Sequence, residues 1–118
     1  MINLEELLMM QKDLDIEILK KYNSRTCTSK FPKEQADFLT ERLLAMIVEV
    51  SELANATRCF KYWSLKQAEP KERLIDEYAD CLHFLLSLGN TLDFTPQEIQ
   101  DAYFKKYSEN IVRQVEGY

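Results

Sequence analysis

Two short stretches constrain this 118-residue chain more than any others: Glu49-Val50-Ser51-Glu52 and Glu77-Tyr78-Ala79-Asp80. Residues three apart on a helix leave from one face, so each stretch predicts two carboxylates side by side. Spacing alone is a weak signal. Glu34/Asp37, Glu69/Glu72 and Glu98/Asp101 share it and sit among charged or polar neighbours, as solvated surface does. The two singled-out pairs have apolar company instead. Met46 and Leu53 stand one turn either side of Glu49, Val48 and Ala56 flank Glu52, Leu74 and Cys81 flank Glu77, and Phe84 follows Asp80. An ionised carboxylate on a core-facing stripe is costly without compensation. A chain that carries four must fold so that something offsets them.

The rest of the chain reads as helices around those stretches. Only two glycines and three prolines interrupt it. The first helix is predicted from about Leu4 to Tyr22, with Asn3 as N-cap and Glu6 as its capping-box partner. Its apolar stripe is Leu4, Leu7, Leu8, Leu14, Ile18 and Leu19. A polar connector follows from Asn23 to Pro32. The second helix starts near Pro32 or Lys33 and reaches about Arg58, carrying Phe38, Leu39, Leu43, Met46, Val50 and Leu53. Cys59-Phe60-Lys61-Tyr62-Trp63-Ser64-Leu65 is an aromatic loop without Gly, Pro or Asn. The third helix opens at Pro70 and closes at Gly89-Asn90. Thr95-Pro96-Gln97-Glu98 supplies an N-cap, a proline at N1 and a glutamate that reaches back, and the fourth helix runs on to about Val115. No alternating strand pattern or repeat is present. The expected architecture is one all-α domain over residues 1–118, four helices packed as a bundle.

Charge and cysteine content narrow the function classes. The formal charge of −5 argues against broad binding of nucleic-acid backbones. Cys27, Cys59 and Cys81 form no CxxC and leave one unpaired in any disulfide scheme, which suits a reducing compartment. The first residues lack the regions of a signal peptide, and no apolar run approaches the roughly 20 residues of a membrane span. A soluble, cytoplasmic protein is expected.

Four carboxylates facing one another repel, and a cation is their natural partner. Hard oxygen ligands from two facing helices suit Mg2+, which commonly bridges carboxylates to substrate phosphates. With His83 as the only histidine, the Glu-x-x-His pairs of a bundle di-iron centre are absent. A salt-bridged acidic helix face is the alternative. On the fourth helix Tyr103, Lys106, Asn110 and Arg113 fall within a face about 80° wide at 100° per residue. Lysine and arginine bracketing an amide suit phosphate oxygens, although a basic face near a helix C-terminus is also favoured by the macrodipole. Trp63, with Phe60 and Tyr62, offers a surface for stacking a base or plugging a core, and Lys61 lies beside it. Gln11 and Asp15, one turn apart, read either hydrogen-bonding edges or solvent.

Taken together, Gln11-Lys12-Asp13-Leu14-Asp15, Glu49-x-x-Glu52, Phe60-Lys61-Tyr62-Trp63-Ser64, Glu77-x-x-Asp80 followed by Leu82-His83-Phe84, and Tyr103-x-x-Lys106-x-x-x-Asn110-x-x-Arg113-Gln114-x-x-Gly117-Tyr118 resemble the dimeric, all-α dUTP diphosphatases of the MazG-like nucleotide pyrophosphatase superfamily. The resemblance implies Mg2+-dependent hydrolysis of dUTP, and of dUDP, to dUMP. It implies Glu49, Glu52, Glu77 and Asp80 as metal ligands, with Glu49 orienting and deprotonating the attacking water. Lys106, Asn110, Arg113 and Tyr118 would hold phosphates together with Lys61, and Gln11, Asp15 and Trp63 would surround the pyrimidine of a deoxyuridine nucleotide. A homodimer or larger assembly is implied as well. Two departures stand out. Only Asn90 to Phe94 joins the third and fourth helices, where many members have extra helices. Asp15 stands where the motif often has asparagine, and a carboxylate accepts equally from uracil N3–H or the cytosine amino group. The rival readings are a dCTP or modified-nucleotide pyrophosphatase of the same superfamily and a non-catalytic acidic binding module.

Overall fold

The structure, a computed structural model, describes residues 1–23 and 39–117. The expected start of the second helix near Pro32, Phe38 on its stripe, Cys27 and Tyr118, expected to hold phosphate, lie outside the described residues. The fold is all-α, as the periodicities predict. Its helices are α1 (Leu4–Asn23), α2 (Leu39–Thr57), α3 (Lys71–Thr91) and α4 (Pro96–Glu116), with no strand among the described residues.

The helix starts form as their sequences dictate. At α1 the Glu6 N–H donates to Asn3 Oδ1 and the Asn3 N–H donates back to Glu6 Oε2, each at 2.9 Å. That reciprocal box satisfies two donors the helix would otherwise leave unpaired. At α4 the Glu98 N–H donates to Thr95 Oγ1 at 3.1 Å, with proline in the first turn. The end of α3 differs from expectation. The helix runs through Gly89-Asn90 to Thr91, and Asp93, at φ 60°, takes a left-handed turn just beyond it. Gly89 is buried inside the last turns of α3, with Leu8 of α1 and Ile99 of α4 nearby.

Helices α2 and α3 form the principal hairpin, α1 packs on α3, and α4 makes its main helix contact with α1. The buried apolar side chains among the described residues are Leu8, Ala56, Leu86 and Leu88. That core is thin. Leu14, Ile18, Leu43 and Val50, which periodicity assigns to core stripes, stay about half exposed, as do Phe104, Tyr107 and Ile111 on α4. Between α1, α3 and the start of α4 opens an apolar groove of about 650 Å³, lined among others by Leu4, Leu85, Leu92 and Phe94. No helix among the described residues is long and apolar enough to cross a membrane.

Candidate metal centre and its surroundings

The α2–α3 hairpin brings Glu49 and Glu52 against Glu77. One carboxylate oxygen from each lies within 4.8 Å of the other two. The i, i+3 spacing on α2 and the antiparallel return on α3 produce this cluster with no special backbone. Glu77 is 8 % exposed, Glu49 is half-buried and Glu52 is exposed. Asp80 is exposed and outside the trio, yet near enough to act on Glu49.

Two atoms decide what this arrangement can do. Glu49 Oε2 and Glu77 Oε2 are both buried and have no hydrogen-bond partner among the described residues. A buried acceptor without a donor costs free energy, and more so when it is ionised. Burial pushes the Glu49 carboxyl above its ordinary value, and the charge of Glu52, the charge of Asp80, a shared hydrogen bond with Glu52 and the charge of Glu77 push it the same way. Burial likewise raises the Cys81 thiol, with Glu49, Asp80 and Glu77 adding to it. Hard oxygens at mutual ligand distance, with Arg73 paired to Glu77 on one side only, fit a divalent cation such as Mg2+.

A cleft of about 420 Å³ adjoins the trio, lined by Glu52, Asn55, Arg58, Lys61, Arg73 and Glu77. The loop after α2 puts Lys61 there. Arg58 adopts φ 59° and donates to Ser64 Oγ and the Lys66 carbonyl, and the Glu69 N–H donates to the Ala56 carbonyl. Phe60 and Tyr62 both meet Trp63 edge-on, at ring-centroid distances of 6.0 and 5.2 Å. Trp63 remains 64 % exposed, so it does not plug the core of the chain.

Gln11 and Asp15 are held in a polar network between α1, α2 and α3. Gln11, 6 % exposed, donates from Nε2 to Asp15 Oδ1 at 2.9 Å. Its Oε1 then faces His83 Nδ1 at 2.6 Å, which makes that nitrogen the donor. Ser87 Oγ donates to Asp15 Oδ2 at 2.7 Å, and Arg42 lies 3.8 Å from the same oxygen while donating to Thr91. Asp15, Arg42, Ala45, Phe84 and Ser87 line a second cleft, of about 330 Å³. The solvent-facing alternative for Gln11 is therefore excluded.

The row on α4 is not brought to the acids within one chain. Lys106 and Asn110 are exposed, Lys106 pairs with Glu109 at 3.2 Å, and none of Lys106, Asn110 or Arg113 lines the acidic cleft. Lys106, first by hydrogen bond and then by charge, holds the Glu109 carboxyl below its ordinary value. Sequence reasoning missed Arg42, Arg73 and Ser87. Two signals were present: Arg42 stands two turns before Glu49 on one stripe, and Arg73 four residues before Glu77.

Comparison with known proteins agrees with this geometry. A family model described as dUTPase matches residues 3–95, most of the chain. The dCTP pyrophosphatase of Enterobacteria phage T4 is 26 % identical over 102 residues, covering 73 % of this chain and 60 % of that protein. The chain thus spans less than two thirds of the length of this curated relative. No solved structure gives a significant match.

Proposed function

Because the chain belongs to the dUTPase family, we propose that it hydrolyses dUTP, and dUDP, to dUMP in a Mg2+-dependent reaction, releasing pyrophosphate or phosphate. The observation that carries this reading is the carboxylate trio with two buried oxygens that lack a donor among the described residues. Glu49, Glu52 and Glu77 would hold the metal together with Asp80. A divalent ion held there would neutralise polyphosphate charge and make a water easier to deprotonate. Glu49 orients the attacking water and takes its proton. Lys61 meets phosphate in the cleft it lines. Lys106, Asn110, Arg113 and Tyr118 hold the remaining phosphate oxygens. Trp63 stacks on the base, and Gln11 and Asp15 read its edge through the network tied to His83 and Ser87.

The row on α4 needs a second copy of the chain to reach an acidic cleft, so the active form is a homodimer or larger assembly. The exposed aromatic and aliphatic side chains of α4 and the open apolar groove favour the same conclusion. One rival substrate is favoured by a particular observation. Asp15 accepts from a cytosine amino group as well as from uracil N3–H, and the phage relative is a dCTP pyrophosphatase. A panel of nucleoside triphosphates, assayed for pyrophosphate release with Mg2+ and with excess EDTA, separates the two. The expected result is preference for dUTP and loss of turnover in EDTA. Full activity in EDTA refutes the metal site, and preference for dCTP moves the assignment to that substrate.

The metal also makes a thermodynamic prediction. A carboxyl raised in the folded state costs more to ionise there than in the unfolded chain. Glu49 therefore contributes stability below the ordinary carboxylate range, and that contribution is lost as pH rises through its raised folded value. Mg2+ offsets the loss, so the rise in thermal midpoint on adding Mg2+ is expected to be larger at pH 8 than at pH 5. Calorimetric scans at the two pH values check it, and an equal rise refutes it.

A further inference from the structure

The acidic trio already has a cationic neighbour. Arg73, one turn before Glu77 on α3, donates from Nη2 to Glu77 Oε1 at 2.9 Å, and its Nη1 lies 3.9 Å from Asp76. The pair is lopsided: the Arg73 side chain is 56 % exposed and that of Glu77 is 10 % exposed. The acceptor is fixed inside the hairpin, while the guanidinium sits at the solvent edge on a long stem. It offsets Glu77 from one side only, since Oε2 is buried without a donor. Arg73 also lines the cleft of about 420 Å³ shared by Arg58, Lys61, Glu52 and Glu77. That cleft combines anionic and cationic side chains, as a site for a metal-bound polyphosphate requires.

We propose that Arg73 is a placeholder cation. It neutralises Glu77 until a divalent ion takes that carboxylate, and then passes its guanidinium to a phosphate oxygen of the substrate in the same cleft. The first half needs only the metal; the second rests on the nucleotide-hydrolysing reading above. The physical reason is competition. A guanidinium and a divalent ion on one carboxylate repel each other, so binding of the ion weakens the arginine's hold. The released fork matches phosphate oxygens, for which arginine is better shaped than lysine.

The two halves predict effects of opposite sign from one substitution. Mn2+ is titrated calorimetrically into metal-free protein at pH 8, and α,β-imido dUTP is then titrated at saturating Mn2+. Arg73→Ala is expected to bind Mn2+ about 3- to 5-fold more tightly, the size of effect a part-exposed ion pair has when removed as competitor. It is expected to bind the nucleotide about 10-fold or more weakly, for loss of one charge-assisted hydrogen bond. A merely structural role would weaken both. Arg73→Lys, which keeps the charge, is expected to fall between wild type and Arg73→Ala in each titration. In a Glu77→Gln background, removing Arg73 should leave Mn2+ affinity unchanged, because the competed group is gone.

Equal or weaker Mn2+ binding by Arg73→Ala, with helicity intact by circular dichroism, overturns the placeholder. If that variant loses helicity, Arg73→Lys carries the test, and Mn2+ affinity equal to wild type overturns it. Unchanged nucleotide affinity overturns the hand-over. A wild-type chain that binds Mn2+ but no nucleotide overturns the proposed function and the hand-over together, while the Mn2+ titration still decides the placeholder.

Discussion

Glu49→Gln is expected to lose turnover by about 10³-fold or more while its helices stay formed, the scale on which removal of a positioned general base acts. The substitution also takes one hard oxygen ligand from the trio, so Mg2+ dependence should shift to higher concentration. Stability without metal is expected to move the other way. Glu49 is pressed by burial and by Glu52, Asp80 and Glu77, and its Oε2 has no donor. A neutral amide removes the charge and offers an N–H to the neighbouring carboxylates, including the orphaned oxygen of Glu77. The metal-free variant should therefore melt above metal-free wild type, and its midpoint should respond less to Mg2+. Activity and thermal scans on one preparation read both effects. Retention of more than about a tenth of wild-type turnover would remove Glu49 from the role of base.

Much of this site was legible in the sequence, and the limits of legibility are specific. The capping box at Asn3/Glu6 and the Thr95-Pro96 start formed as read, because caps are local chemistry. Glu49, Glu52 and Glu77 came together because periodicity fixes the face on which a side chain leaves its helix. Periodicity does not say what lies opposite. Asp80 shares the face of Glu77, yet the hairpin leaves it exposed and outside the trio. Gln11 is equally ambiguous on its own helix, and only the approach of His83 from α3 buries it. Gly89 was taken for a helix stop because glycine usually is one. Here the helix continues through it to Thr91, and the left-handed turn falls at Asp93.

The largest gap between chain and site concerns α4, and it leads to an all-or-none test. Within one chain Lys106, Asn110 and Arg113 do not line the acidic cleft, and α4 makes its main helix contact with α1. If assembly delivers the row, each site draws its acids from one copy and its row from the other. Glu49→Gln then spoils one half of a site, and the double substitution Lys106→Ala with Arg113→Ala spoils the other. Each variant alone is expected to be inactive. When the two are unfolded and refolded together, about half of the dimers are mixed, and every mixed dimer has one site with both halves intact, so about a quarter of wild-type activity should return. Were each site complete within one chain, every site in the mixture would stay damaged and no activity would return. Sedimentation of the wild type bears on the same point, since a monomer at micromolar concentration leaves the row with no acidic cleft to serve.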